Sequence, residues 1–338
     1  MKYILTFFLF FTLNSYSLVS DPKIVIFCYH SFNQPDNILS VSSKSFEEQI
    51  DSARKKGYEI ISENSLKDFY YNGINLKEKN LLVTIDDGYV SVLNIINDIC
   101  VNKGIFPTMF IYPEIIGKGK HLEWIKIKEM ADMGINFGSH SYSHFSNLDF
   151  LQVLDIEKLG KKLEKELVTS ASLIENHTGR KIYSYAHPYG IFDSTIEKIT
   201  NIRYKLVYTT AKGPNGINTN PHRLNRYIIR NDTGQKEIED FLDYEMLPIV
   251  KTYPDNGGFT GNEELIIFYF RNGRELSKFH GFKFKIDGEK GEIGANIGRS
   301  IVWFDCKKIK RRVYDLSLTC YDDKNRKFIY SILINSKK

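Results

Sequence analysis

The sequence predicts an α/β barrel followed by a small all-β sandwich. Between Lys23 and about Asp243, short apolar runs alternate with longer amphipathic segments, a pattern typical of parallel strands joined by helices. About seven such strand–helix units occur, which predicts an incomplete barrel related to the eightfold one. After Pro248 the helical period disappears, and short strands joined by tight turns predict an antiparallel sandwich.

The barrel strands are expected where the chain is most apolar. These runs are Ile24–Tyr29, Leu81–Ile85, Thr108–Tyr112, Ile135–Gly138, Ile182–Ala186, Leu206–Thr209 and Leu224–Ile229. The helices are expected at Phe46–Lys56, Val90–Lys103, Trp124–Met133, Leu151–His177 and Ser194–Asn201. Because reacting groups in such barrels sit at the carboxyl ends of the strands, we expect the functional site there.

The sandwich strands are expected in the last quarter of the chain. They are Glu264–Arg271, Gly281–Ile286, Glu292–Ile297, Ser300–Phe304, Val313–Tyr321 and Lys327–Ile334, joined by Asn-Gly, Asp-Gly and Asp-Asp-Lys-Asn turns. The segment 247–258 contains Pro248, Pro254 and two adjacent glycines, so it predicts a linker. The resulting division is a barrel at 21–246 and a sandwich at 259–338.

The amino terminus predicts a secretory signal peptide at residues 1–20. Lys2 precedes an apolar run from Ile4 to Leu13, and a small polar segment follows up to Ser20. The run is shorter than the ~20 residues of a spanning helix, although an uncleaved anchor stays open. We therefore expect an exported protein of the periplasm, the cell envelope or the extracellular medium.

The charge balance gives no indication of a nucleic-acid partner. The formal net charge is +5 over 338 residues, and no run of lysine and arginine resembles a nucleic-acid-binding arm. The chain is treated as a monomer, with association with the envelope through the C-terminal sandwich as a further expectation.

Two predicted strand ends carry residues suited to metal chemistry. Asp86, Asp87 and Gly88 follow an apolar strand, so one carboxylate could bind a cation while its neighbour accepts a proton. His140 and His144 follow another strand, and a spacing of four lets both converge on one cation. Alone, each pattern also fits an ordinary turn or two polar loop residues.

A third strand end carries Pro188, Tyr189 and Gly190. The proline and the glycine fix a turn in which a backbone N–H could face a developing oxyanion. Taken alone, this pattern is an ordinary strand-to-helix turn.

Together, the segments Thr-Ile-Asp-Asp-Gly, His-Ser-Tyr-Ser-His and Pro-Tyr-Gly resemble the polysaccharide deacetylase family (carbohydrate esterase family four). The resemblance covers roughly residues 23–235. The opening strand ending in Tyr29-His30-Ser31, the segment Tyr208-Thr209-Thr210 and the segment Arg223-Leu224-Asn225-Arg226 resemble the branch that deacetylates poly-β-1,6-N-acetylglucosamine.

The resemblance implies a distorted (β/α)7 barrel and a divalent metal, usually zinc. It implies that Asp87, His140 and His144 hold Zn²⁺ or another divalent transition metal, and that Asp86 is the general base. The Tyr189 N–H would bind the oxyanion, and Tyr142, Pro188 and Tyr189 would contact the substrate.

The chain departs from the family pattern at two points. Many members carry an arginine two residues before the proline of the third motif, but Ala186 stands here, which leaves the partner of Asp86 open. Many also carry a late Leu-x-His whose histidine is the general acid, and no counterpart follows Gly190. We therefore assign the acid to His30, which closes the first strand; the alternative is that His30 only packs.

The predicted function is removal of N-acetyl groups from a GlcNAc-containing polysaccharide, with release of acetate. Poly-β-1,6-N-acetylglucosamine is the expected substrate, and peptidoglycan or chitin-type chains are the next candidates. Tyr29, Tyr112, Tyr142 and Tyr189 lie near predicted strand ends and favour a sugar-stacking cleft. The alternatives are an inactive glycan-binding or adhesion protein and a metal amidase for a non-sugar amide.

Overall fold

The computed structural model describes residues 21–146, 156–192, 194–254, 265–286, 293–296, 299–305 and 313–335. The predicted signal peptide at 1–20 lies outside the described residues. None of the helices in the described part of the chain combines the length and the apolar character needed to cross a membrane.

The first part of the chain alternates strands with helices. Its strands are β1 (Lys23–Tyr29), β2 (Ser31–Phe32), β3 (Ser40–Val41), β4 (Glu59–Ile61), β5 (Lys79–Asp86), β6 (Thr108–Ile111), β7 (Asn136–Ser139), β8 (Ser184–Ala186), β9 (Leu206–Tyr208) and β10 (Tyr227–Ile228). Its helices are α1 (Ser43–Lys55), α2 (Glu63–Asn72), α3 (Val92–Asn94), α4 (Val101–Lys103), α5 (Trp124–Asp132), α6 (Ile156–Leu163), α7 (Ser170–Thr178), α8 (Ser194–Arg203) and α9 (Gln235–Asp243). Two of the predicted helices contain π-helical middles, at Ile95–Cys100 and Glu164–Thr169.

Eight of these strands form one parallel sheet in the order β10-β1-β5-β6-β7-β8-β9, with β4 paired to the first half of β5. The sheet is brought toward closure by the residues just before β10. Tyr208 pairs with Leu224 in a parallel bridge, and the Thr209 N–H donates to the Leu224 carbonyl at 2.8 Å. The predicted distorted barrel is therefore confirmed.

The barrel strands are mostly apolar because both of their faces are covered. Along β1, Ile24 and Ile26 point into a core inside the barrel, whereas Val25 and Phe27 join the core beneath the helices. All four side chains are fully buried. Covered faces of this kind explain why the strands appear as continuous apolar runs rather than as alternating patterns.

The second part of the chain is a sandwich of two four-stranded sheets. Its elements are β11 (Glu245–Met246), β12 (Ile249–Tyr253), β13 (Leu265–Phe270), α10 (Gly273–Leu276), β14 (Phe279–Ile286), β15 (Ile293–Asn296), β16 (Ile301–Asp305), β17 (Val313–Asp322) and β18 (Lys327–Asn335). The sheet orders are β11-β18-β17-β14 and β12-β13-β16-β15. Side chains from both sheets, including Phe268, Phe284, Val302 and Leu318, share one core, which confirms the predicted sandwich.

The structure differs from the sequence prediction at several short elements. Strands β11 and β12 lie at 245–253, where the sequence predicted mostly linker, and each pairs with a sandwich strand. Asn272 and Gly273 were expected in a turn between strands. Asn272 instead caps the one-turn helix α10, its side-chain oxygen accepting from the Glu275 N–H at 2.9 Å.

Candidate active site

The predicted strand ends converge at the carboxyl edge of the barrel sheet. Strand β5 ends at Asp86, and the chain turns sharply through Asp87 and Gly88, whose φ angles are 72° and 74°. A left-handed conformation is uncommon for a residue other than glycine and clusters at functional sites. This turn directs both carboxylates toward the loop after β7, which carries the two histidines.

Asp87, His140 and His144 form a cluster that could hold a metal ion. The Oδ1 atom of Asp87 lies 3.7 Å from Nε2 of His140 and 3.5 Å from Nε2 of His144. Ligand atoms of a tetrahedral site with bonds of about 2.0–2.1 Å would be about 3.4 Å apart, so the spacing fits zinc. The same Oδ1 atom is buried without a hydrogen-bond partner among the described residues, as expected of a ligand atom.

His140 is fixed in the tautomer that a metal ligand needs. Its Nδ1–H donates to the Ala186 carbonyl at 2.8 Å, which leaves Nε2 facing Asp87. Burial lowers the pKa of His140 to about 3, so the ring is neutral at physiological pH. A neutral imidazole with a free Nε2 is the form that coordinates a cation.

His144 lies in the loop beyond β7. Its ring contacts Tyr112 and Tyr189, with centroids 5.1 Å and 4.8 Å apart. The backbone of His144 has a φ of 54°, and that of Ser141 has a φ of 64°. The second histidine is therefore placed by an unusual loop conformation rather than by the strand.

Asp86 is paired with Arg226, which immediately precedes β10, two strands away from β5 in the sheet. The guanidinium of Arg226 donates to both carboxylate oxygens of Asp86, at 2.7 and 2.8 Å, and both side chains are buried. Burial alone would raise the pKa of Asp86, but the charge and hydrogen bonds of Arg226, together with the nearby rings of His140 and His30, hold that pKa well below its ordinary value. Asp86 is therefore a carboxylate at neutral pH.

The sequence motifs assign no role to Arg226 itself, although the segment Arg223-Leu224-Asn225-Arg226 is part of the family resemblance. Arg226 immediately precedes β10 within an apolar run and is fully buried. A buried arginine requires an anionic partner. An arginine beside an apolar strand could therefore have indicated a buried ion pair from the sequence. The arginine absent at Ala186 is thus replaced by one 40 residues later in the chain.

His30 reaches the same end of the barrel. One of its ring nitrogens, Sγ of Cys28 and a carboxylate oxygen of Asp86 all lie within 4.8 Å of one another. The Cys28 thiol donates to Oδ2 of Asp86 at 3.4 Å. Burial lowers the pKa of His30 to about 4, so this ring is also neutral at physiological pH.

The third motif forms a single 3-10 turn, Pro188–Gly190, directly after β8. Tyr189 has a φ of 60°, its side chain is 60% exposed, and among the described residues no acceptor is recorded for its N–H. Pro188 is buried in the turn. Tyr142 is half-buried, with its ring against the Lys165 ammonium, 4.3 Å from the ring centroid.

The expectation that Tyr29 lines the cleft is wrong. Tyr29 is fully buried, donates to the Gln49 side chain at 2.8 Å and packs against Phe46. Instead, Tyr89 and His121 stack at the rim with centroids 4.7 Å apart, and His121 meets Tyr112 at 6.1 Å. A row of partly exposed rings thus leads from the histidine cluster to the surface.

Comparisons with known proteins agree with this geometry. The model of the polysaccharide deacetylase family matches residues 73–207, which include both aspartates, both histidines and the 3-10 turn. This match supports membership of the polysaccharide deacetylase family. A candidate polysaccharide deacetylase, YxkH of Bacillus subtilis (strain 168), is 25% identical over 206 residues, or 60% of this chain and 70% of its own length.

Two solved structures share the barrel fold. IcaB from Ammonifex degensii has 23% identity and a TM-score of 0.58, covering 66% of this chain and 98% of its own. The Streptococcus pyogenes deacetylase PplD, solved with acetate, has 21% identity and a TM-score of 0.57, covering 66% and 99%. At these identities the likeness concerns the fold.

Proposed function

We propose that the protein is a metal-dependent de-N-acetylase of a GlcNAc-containing polysaccharide. The observation that carries the proposal is the Asp87, His140 and His144 cluster with the ionised Asp86 beside it. Three protein ligands leave a position for water or substrate, which is the arrangement of catalytic rather than structural zinc sites. The polysaccharide deacetylase family implies hydrolysis of an amide, and the site offers the groups for it.

Each residue would have one task. A bound divalent cation would polarise the acetamide carbonyl and acidify the attacking water. Asp86 accepts the proton of that water, and Arg226 keeps the Asp86 carboxylate ionised and in place. The Tyr189 N–H donates to the oxyanion that develops on the carbonyl.

His30 then delivers a proton to the departing amine. Because burial keeps His30 neutral, the proton that it delivers is the one that Asp86 took from water. A ring nitrogen of His30 lies within 4.8 Å of an Asp86 oxygen, a gap that one water molecule can bridge. The products are acetate and an amino sugar that is cationic at neutral pH, which would change adhesion of the polymer to anionic surfaces. His30→Ala with unchanged metal binding and near-normal turnover would exclude this role.

Poly-β-1,6-N-acetylglucosamine is the substrate we propose, and zinc is the metal. The β1 strand and the segment around Arg226 resemble the branch that acts on this polymer. The row formed by Tyr89, His121 and Tyr112 supports a glycan, because sugar rings stack on aromatic faces. Export to the periplasm, the envelope or the medium is part of the same proposal.

The deciding experiment is acetate release by the purified, zinc-supplied protein from β-1,6-linked N-acetylglucosamine oligomers, beside Asp87→Ala. Release that disappears in the variant is the expected result. Release only from β-1,4-linked oligomers would show that the substrate is a β-1,4-linked glycan, while the proposed reaction would stand. Glycan binding without release from any acetylated oligomer would favour an inactive glycan-binding protein.

A further inference from the structure

The loop that carries His144 is tied to one buried carboxylate. Glu166 is 3% exposed, and its Oε2 accepts the backbone N–H groups of Tyr142 and Ser143, each at 2.9 Å. Its Oε1 accepts the hydroxyl of Ser143 at 2.7 Å. Three donors therefore converge on the two oxygens, and all three belong to the two residues immediately before His144.

This loop is held in a conformation that it would not adopt freely. Ser141 and His144 have φ angles of 64° and 54°, in the left-handed region that residues other than glycine rarely occupy. Such residues are energetically costly and persist only where their surroundings enforce them. The enforcing contacts here should therefore matter for the position of His144.

The contacts come largely from one helical segment. Glu166 lies in the π-helical stretch Glu164–Thr169, and Ser170 follows it four residues later, on the same face. The Ser170 hydroxyl donates to the Ser141 carbonyl at 2.7 Å. From the other side, the Glu114 N–H donates to the Tyr142 carbonyl at 3.0 Å. π-Helical turns inside helices are frequently found at functional sites.

The two histidines of the cluster are supported in different ways. His140 directly follows β7, and its ring donates to the Ala186 carbonyl. For the ring of His144 the structure records contacts with Tyr112 and Tyr189. The backbone of His144 depends on the loop, and the Glu166 contacts hold the two residues before it.

We propose that Glu166 is a positioning residue that fixes the His144 loop and thereby sets the affinity for the divalent cation. The inference rests on the proposed metal-dependent function. Groups that orient metal ligands typically change metal affinity by about 10- to 100-fold when removed. Glu166 does not touch the metal site itself, and its effect runs through the backbone of residues 142 and 143.

The test compares Co²⁺ binding to the full protein, to Glu166→Gln and to Glu164→Gln. Glutamine keeps the size of the side chain but removes its charge and replaces one of the two accepting oxygens by an NH₂ group. Glu164 is exposed on the same π-helical stretch, so it is a matched control. We expect Co²⁺ affinity to fall about 10- to 100-fold in Glu166→Gln and to stay within about twofold in Glu164→Gln.

The visible spectrum of bound Co²⁺ reports coordination directly, apart from any activity. A changed spectrum at saturating Co²⁺ in Glu166→Gln is expected, because one imidazole would be displaced. Unchanged affinity and an unchanged spectrum would overturn the inference. If Glu166→Gln does not fold, Ser143→Ala removes one of the three hydrogen bonds, and wild-type affinity in that variant would also overturn it.

The same experiment separates this inference from the proposed function. A wild-type protein that binds no Co²⁺ would remove the metal-dependent function, and this inference with it. A wild-type protein that binds Co²⁺, with Glu166→Gln binding it equally well, would remove only the role of Glu166.

Discussion

Asp86 and Arg226 meet inside the barrel, where both side chains are almost fully buried. Burying two charges is costly unless the geometry is good and the remaining donors are satisfied. Here the pairing is bidentate, the Arg226 Nε–H donates to the Thr209 carbonyl at 3.0 Å, and a further N–H reaches the Thr84 hydroxyl at 3.3 Å. The arginine is thereby committed to the carboxylate that we propose as the base.

This pair marks the limit of sequence-based prediction at the residue scale. Asp86, Asp87, His140 and His144 belong to short local motifs, which is why they could be chosen as candidates. Arg226 lies 140 residues from Asp86, and its contact exists only because β10 is a neighbour of β1 in the sheet. Glu166 was likewise not identified, because its partners are backbone groups that no side-chain pattern records.

Arg226→Lys tests the role of the bidentate pair. Lysine keeps the charge but cannot donate to both oxygens in a fixed plane, so Asp86 becomes a worse-oriented base with a higher pKa. We expect kcat/KM to fall about 10- to 100-fold, the range of one lost charge-assisted hydrogen bond. The acidic limb of its pH profile should move to higher pH, because Asp86 would lose its proton at higher pH.

The control for this variant is Arg223→Lys, three residues earlier, where the arginine pairs with Glu197 outside the site. It should leave the pH profile unchanged. An acidic limb that stays in place in Arg226→Lys would exclude Arg226 as the group that tunes Asp86.

The buried carboxyl group of Glu63 should make the stability of the protein depend on pH. It is fully buried and accepts the Tyr208 hydroxyl at 2.8 Å and the Ser184 hydroxyl at 3.1 Å. Burial raises the pKa of Glu63 to about 7 despite these hydrogen bonds. The folded state therefore holds this proton more tightly than the unfolded state, so its contribution is complete below pH 4.5 and is lost as pH rises through 7.

Glu63→Gln should remove that loss. As the pH rises from 5 to 8, the free energy of unfolding of Glu63→Gln should increase relative to that of the wild type by up to about 3 kcal/mol. Urea unfolding at both pH values measures it. Glu175→Gln should not share this trend, because hydrogen bonds outweigh burial there and lower the pKa of Glu175. A constant difference between wild type and Glu63→Gln would contradict the prediction.

At the scale of elements, prediction succeeded where an element has enough length to show its pattern. All seven predicted barrel runs overlap strands, because strands covered on both faces are mostly apolar. Strand β4 has three residues, of which the first is exposed, and helix α2 buries only Glu63 and Leu66, so neither gives a period. Helix α9 did show one, since Ile238, Phe241 and Leu242 follow helical spacing, but it was not identified.

The turn Pro188–Gly190 depends on a glycine for space as well as for conformation. Gly190 has a φ of 71°, and a Cβ there would lie 2.0 Å from Oγ1 and 2.7 Å from the backbone nitrogen of Thr210. The turn would have to move, and the Tyr189 N–H with it. Gly190→Ala should therefore lower kcat by about 10²-fold or more, the cost of one lost oxyanion donor.

Gly179 provides a matched control, because its φ of 69° is similar but nothing lies within 4 Å of a Cβ there. Gly179→Ala should cost about 1 kcal/mol of stability and leave kcat unchanged. Equal kcat values for the two variants would show that strain, rather than displacement of the turn, accounts for any loss.

At the scale of the whole molecule, the barrel and the sandwich have separate cores. The barrel cores contain residues up to Leu242, whereas the sandwich core begins at Leu247 and contains side chains from both of its sheets. Ion pairs between Lys212 and Asp315, at 2.9 Å, and between Lys327 and Asp240 connect the two parts. Partly exposed ion pairs of this kind contribute little to stability, so each part is held mainly by its own core.

Metal binding should therefore stabilise the barrel more than the sandwich. The Asp87, His140 and His144 cluster exists only in the folded barrel, and a ligand at 100 times its Kd stabilises the state that binds it by about 2.7 kcal/mol. We expect zinc to raise the midpoint of the barrel transition in calorimetry relative to the chelator-treated protein, while a separate sandwich transition stays in place. Asp87→Ala should abolish the shift, whereas His222→Ala, which alters a histidine near Tyr71 outside the cluster, should retain it. A shift that survives in Asp87→Ala would show that zinc binds outside the cluster. A single transition that moves as a whole would show that the two cores unfold together.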